Sequence, residues 1–155
     1  MSRTDWFTNA RFGMFIHWGI YAIPAAGEWI YANRDWKDGE YQNLMKQFNP
    51  FDYDPAYWAE LAKAAGMKYV VFTTKHHDGF CMFDSKYTDY KITNTPYGKD
   101  VTRMLAEAFR AAGLKIGFYH SCRTGRIRVM PTRRARNSCS TKSSIRPRRN
   151  SAGIF

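Results

Sequence analysis

Residues 64–68 (AAGMK) and 111–115 (AAGLK) each close a helical pattern and open an apolar strand pattern, so the chain repeats a helix–strand unit. In the first copy Asp54 stands as N-cap and Pro55 occupies the first helical position. Tyr57, Trp58, Leu61, Ala62 and Ala65 share one helical face, and Gly66 ends the helix. Residues 68–75 (KYVVFTTK) then run largely apolar, as expected of a strand covered on both sides. In the second copy Asp100 is the cap, Val101, Met104, Leu105, Ala108, Phe109 and Ala112 line the face, and Gly113 ends it. Residues 115–119 (KIGFY) follow as a strand. Upstream, residues 11–18 (RFGMFIHW) are rich in β-formers and read as a first strand. Strand–helix–strand–helix–strand implies a parallel α/β sheet with right-handed crossovers, either doubly wound or part of a (β/α) barrel. No Gly-x-Gly-x-x-Gly follows the first strand, which disfavours a dinucleotide fold. The connection over residues 19–49 is too long for an ordinary loop and is expected to be functional or to carry small elements of its own.

The pattern stops abruptly at residue 121. Residues 1–121 hold 14 Lys and Arg against all 13 acids, whereas residues 122–155 hold nine Arg, one Lys and no acid. The second segment therefore carries +10 of the net +11, and only one of the 26 aromatics, Phe155. Two regions follow: a partial barrel over 1–121 and a basic segment over 122–155, expected to be disordered because it has little to bury. A basic tail that binds nucleic acid is the alternative reading. It is disfavoured because no helix, zinc or RNA-binding motif accompanies the charge. Cys81, Cys122 and Cys139 fit neither a disulfide framework nor a zinc site. No signal peptide and no run of transmembrane length is visible, which makes a cytoplasmic protein without membrane contact the default expectation.

The chain has four histidines, and every predicted strand ends on one or more of them: His17-Trp18, Lys75-His76-His77-Asp78, and Tyr119-His120-Ser121. In a barrel, chemistry gathers at those ends. Alone, His17 reads as a hydrogen-bonded structural residue. The His76-His77 pair shifts that balance, because adjacent residues face opposite sides of a strand unless the chain bends there. A metal site is disfavoured, since no His-x-His and no converging acidic cluster occurs. Glu28-Trp29, in the long first connection, sets a carboxylate beside a large flat ring, a pairing that suits a sugar. Tyr21, Tyr31, Trp36 and Tyr41 make that connection aromatic throughout, and some of these must simply pack. Cys81 and Met82 read as packing residues.

Residues 12–19 (FGMFIHWG), with Tyr21-Ala22-Ile23-Pro24 and Glu28-Trp29, resemble the opening of the family 29 α-L-fucosidases. Residues 74–80 (TKHHDGF), followed by Phe83-Asp84-Ser85, Thr88 and Asp100, resemble that family's second-strand signature, and residues 113–121 (GLKIGFYHS) its third strand. The resemblance implies a retaining exo-glycosidase that removes terminal α-L-fucose from fucosylated glycans, using a (β/α)8-like TIM barrel and no cofactor. It assigns His17, Glu28, Trp29, His76, His77 and Tyr119 to the fucose pocket. Histidines and Glu28 would hold the hydroxyls, and Trp29 would sit near the ring and its methyl. The family's Asp nucleophile and its acid/base both lie downstream of the third strand, so no catalytic residue is expected within this chain. Asp78 and Asp84 match neither.

A barrel of this kind takes roughly 250 residues, and the repeat supplies three strands of eight. An open piece exposes a strand edge and apolar interior. The expectation is therefore an inactive, poorly soluble chain; a non-catalytic fucose-binding fragment is the alternative. Cys122-Arg123-Thr124-Gly125 also permits codons that, read one nucleotide earlier, give Leu-Pro-Asp-Trp. That is close to the run the family carries after its third strand, and it suggests a frame change near residue 121.

Overall fold

The computed structural model describes residues 3–121. The basic segment, with its expected disorder and frame change, lies outside the described residues. Three strands, β1 (Met14–Ile16), β2 (Tyr69–Lys75) and β3 (Lys115–His120), form one parallel sheet in the order β1-β2-β3. Phe15 pairs with Val71 and Val71 with Gly117, placing one residue from each strand in a single layer. Next along the strands, Thr73 pairs with Tyr119, after which the register skips a residue so that Lys75 pairs with His120. Among the described residues four helices accompany the sheet: α1 (Asp5–Ala10), α2 (Ile30–Asn33), α3 (Pro55–Ala64) and α4 (Val101–Ala111).

Both long helices begin as their sequences dictate. The Asp54 carboxylate accepts hydrogen bonds from the Ala56 and Tyr57 N–H groups, and Pro55 opens α3. Asp100 accepts the Arg103 N–H at 2.8 Å and, through its other oxygen, the Asp84 N–H at 3.0 Å. Gly66 and Gly113 terminate them at φ +82°, a conformation that a Cβ disfavours.

On α4 the expected face is inward: Val101, Leu105 and Phe109 are fully buried against Val70 and Phe72. On α3 the expected face is only half right. Ala59 and Ala62 are buried and Trp58 packs partly on the core, whereas Tyr57, Leu61 and Ala65 are exposed. The buried small residues belong to the core cluster, and α3 packs chiefly against α4.

The first strand is shorter than its composition suggested, three residues rather than eight. Residues 17–19 bend into a 3-10 turn, Ile20–Ala22, and residues before Met14 lead back to α1, which the sequence reading did not foresee. The long connection carries α2 and a second 3-10 segment, Gln42–Gln47, as its length required. Beneath it lies a further stretch of core formed by Ile20, Tyr41, Phe48, Phe80 and Met82. Among the described residues no helix is long and apolar enough to cross a membrane.

Candidate functional site

Alternation along parallel strands sends Phe15, Val71, Gly117, Thr73 and Tyr119 to the face of the sheet away from α3 and α4. The rings of Phe15 and Tyr119 are 6.1 Å apart, and Phe15 is 54% exposed, so this face is open. His17 follows β1 on the same side, 5.9 Å from Phe15 and 6.2 Å from Tyr119, ring to ring. His76 and His77 follow β2 with ring centroids 4.6 Å apart, and His76 lies 5.0 Å from His17. The three histidines and Tyr119 thus form one cluster at the C-terminal ends of all three strands.

Hydroxyl groups orient two of the imidazoles. His17 Nδ1 lies 2.7 Å from Tyr21 Oη and 3.1 Å from Thr73 Oγ1, which leaves Nε2 for a ligand. His77 Nδ1 lies 2.7 Å from Ser121 Oγ, and its Nε2 has a longer contact of 3.5 Å with the Tyr119 hydroxyl. His76 differs from both. It is buried, and its Nδ1 has no hydrogen-bond partner. A buried polar atom without a partner is costly. Burial, then the neighbouring His77 and His17, push the His76 pKa down to about 4, against a smaller opposing pull from Glu28. His76 is therefore neutral at pH 7, with one nitrogen to donate and one to accept, the complement of an alcohol.

The first connection supplies the remaining wall. Trp29, 40% exposed, stands 5.2 Å from His77 at 42° and 6.0 Å from His76 at 83°. Glu28 precedes it, half-buried, near enough to act electrostatically on His76 and Tyr21. The result is a rim bearing imidazoles, a carboxylate, a phenol and one broad indole. All six residues singled out from the sequence, His17, Glu28, Trp29, His76, His77 and Tyr119, belong to it.

The fourth histidine does not. His120 alternates to the other face, where its Nδ1 lies 3.2 Å from Thr74 Oγ1 and its ring meets Phe83. There it borders a cavity of about 1110 Å³ shared with Lys75, Cys81 and Tyr90. No histidine of the cluster lines that cavity, and the chemistry gathers at the rim. Sequence reasoning also missed the orienting hydroxyls of Thr73 and Ser121. Thr73 was detectable in principle, since it lies on the strand parity of Val71.

No group of three or more His, Cys, Asp or Glu among the described residues is placed to hold a metal ion. Both oxygens of Asp78 are engaged in the interior, by the Tyr41 hydroxyl at 2.8 Å and the Phe80 N–H at 3.0 Å. Burial raises its pKa. Asp84 accepts from Lys91 Nζ at 2.8 Å and from Thr93 Oγ1, a surface pair.

Comparison with known proteins agrees with the motifs. A family model described as alpha-L-fucosidase matches residues 1–145. An α-L-fucosidase from Branchiostoma floridae is 36% identical over 139 residues, covering 76% of this chain and 30% of the relative. The human tissue enzyme is 36% identical over 135 residues, covering 75% and 28%. Among solved structures, α-L-fucosidase isoenzyme 1 from Paenibacillus thiaminolyticus is 60% identical with a TM-score of 0.75, covering 77% of this chain and 28% of that one. An enzyme from Lactobacillus casei, solved with its α-L-fucose product, is 43% identical with a TM-score of 0.72, covering 75% and 40%. The chain spans about 30% of the length of the curated relatives it matches.

Proposed function

Because this chain belongs to the α-L-fucosidase family, we propose that its strand-end rim is the sugar-holding part of a retaining exo-α-L-fucosidase site. The substrate is the terminal α-L-fucose of a fucosylated glycan. His17 Nε2, His76 and His77 hold ring hydroxyls, Glu28 accepts from another, and Tyr119 offers its phenol. Trp29 lies against the C–H face and methyl of the sugar. In this reading the parallel sheet is the first part of a (β/α) barrel, whose interior face carries Phe15, Val71 and Gly117 and whose upper layer carries the site.

Retention calls for two carboxyls about 5–5.5 Å apart, one a nucleophile and one an acid/base. A family member from Bacteroides thetaiotaomicron, 41% identical to this chain, is described as a trapped covalent intermediate formed with 2-fluoro-fucosyl fluoride, which supports the nucleophilic route. Asp78 and Asp84 serve neither role: one is bonded within the core, the other paired at the surface. The catalytic carboxyls of this reading are those that family members carry after the third strand.

The convergence of His17, His76, His77 and Tyr119 beside Trp29 carries the reading. Titration with L-fucose, followed by imidazole nitrogen chemical shifts, tests it. Saturable shifts at His17, His76 and His77 that vanish in His76→Ala are expected, and an exposed polar rim that ignores the sugar at high concentration sinks the idea. L-galactose, which exchanges the methyl for a hydroxymethyl, is expected to bind more weakly, because it sets a hydroxyl against Trp29.

A further inference from the structure

Trp29 sits on a connection held to the sheet at a distance from the rim. Tyr41 is fully buried, and its hydroxyl donates to Asp78 Oδ2 at 2.8 Å. Its ring packs on Tyr31, 4.5 Å away, and on Trp36, 5.1 Å away. Trp36 Nε1 in turn donates to the Ile30 carbonyl at 3.0 Å, at the start of α2. Trp29 is the N-cap of that helix, its carbonyl accepting the Ala32 and Asn33 N–H groups. The Trp29 ring then meets His77, the residue before Asp78. The contacts form a closed circuit: Asp78, Tyr41, Tyr31 and Trp36, α2, Trp29, His77. Asp78 also fixes the turn after the histidines, by accepting the Phe80 N–H.

We propose that Tyr41 and Asp78 are positioning residues, a buried strut that sets Trp29 and Glu28 at their distance from His76 and His77. The inference rests on the fucose reading of the rim, and it explains a buried acid that the proposed chemistry leaves unused. Among the described residues, Asp78 is the one point at which the first connection is fastened to the strand-end turn by a side-chain hydrogen bond, so the fit of the sugar between indole and imidazoles depends on it.

Tyr41→Phe keeps the ring packing and removes the hydroxyl alone. Asp78→Asn keeps an oxygen for Phe80 and an amide that donates to Tyr41 Oη; Asp78→Ala keeps neither. In the full chain without ligand, amide exchange at Ala32, Asn33 and Arg34 is expected to rise about tenfold in Tyr41→Phe and Asp78→Ala, the scale of one lost hydrogen bond. Exchange in β2 should be unchanged, and Asp78→Asn should resemble wild type. The dissociation constant for L-fucose is expected to rise in the same two variants and to be rescued by Asp78→Asn. Wild-type exchange in Tyr41→Phe, or a failure of Asp78→Asn to rescue, overturns the strut. If wild type itself ignores L-fucose, the site reading falls, while the exchange measurement still decides the strut.

Discussion

His77 Nδ1 lies 2.7 Å from Ser121 Oγ, tying the turn after β2 to the first residue beyond β3. Without that bond the ring keeps only the long Tyr119 contact and its ring contacts with Trp29 and His76. Ser121→Ala is expected to destabilise the chain by about 1 kcal/mol and to broaden the His77 ring resonances. Urea unfolding and imidazole NMR measure the two effects, and sharp, unshifted His77 signals would count against the orienting role.

Acid should act on the fold through His76. Its folded pKa, about 4, is below its ordinary value of 6.5, so between those values the unfolded chain binds the extra proton. The contribution of neutral His76 is fully present above about pH 6.5 and is lost as the pH falls through 4. His76→Gln, which cannot titrate, is expected to flatten the acid limb of a stability–pH curve in that window. An unchanged limb would show that the burial of this ring is not what acid attacks.

The two helix caps should not be equivalent. Asp54→Ala removes a cap alone and is expected to cost about 1 kcal/mol. Asp100→Ala removes a cap and also the acceptor of the Asp84 N–H, which leads into the Asp84–Lys91 pair. Its cost is expected to be larger, roughly 2 kcal/mol. Equal losses in parallel denaturation curves would refute the second role.

Gly13 tests how α1 is seated. A Cβ there would clash with the Tyr69 ring, and that ring packs on Phe7 at 5.2 Å and Trp6 at 6.2 Å. Gly13→Ala is expected to displace the ring and loosen α1, at a cost of about 1–3 kcal/mol. Faster amide exchange over residues 5–10, with β2 unaffected, is the expected signature.

The sequence made the sheet and the two long helices legible because their signals are local. Asp54-Pro55, Asp100, Gly66 and Gly113 carry their own start and stop chemistry, and the apolar runs after the repeated pentapeptides leave little choice but strand. The rim was legible for a similar reason, since every histidine falls at a strand end. What failed to show was set by tertiary contact. Nothing local says that Tyr57 and Leu61 turn outward while Ala59 and Ala62 turn in. The length of β1 depends on its pairing with β2, and α1 on Tyr69. The hydroxyls of Tyr21 and Ser121 were invisible as partners because each lies on a different segment from, or a turn beyond, the imidazole it holds. Tyr41 and Asp78, 37 positions apart, meet only once the first connection folds over β2.

The skipped residue between Thr73 and Lys75 accounts for the least expected property of the rim, two neighbouring histidines on one side. A strand in even phase would send Thr73, Lys75 and His77 to one face and His76 to the other, among the helices. With Thr74 inserted out of pairing, the phase inverts. Lys75 falls opposite His120 and borders the cavity on the far side, while His76 comes round beside His17. The turn after β2 then brings His77 to the same side. Bulges commonly re-aim a side chain in this way next to functional sites. The address of His76 is thus written in the irregular step before it: were Thr74 paired in regular alternation, Lys75 would stand on the side that the His76 imidazole now occupies.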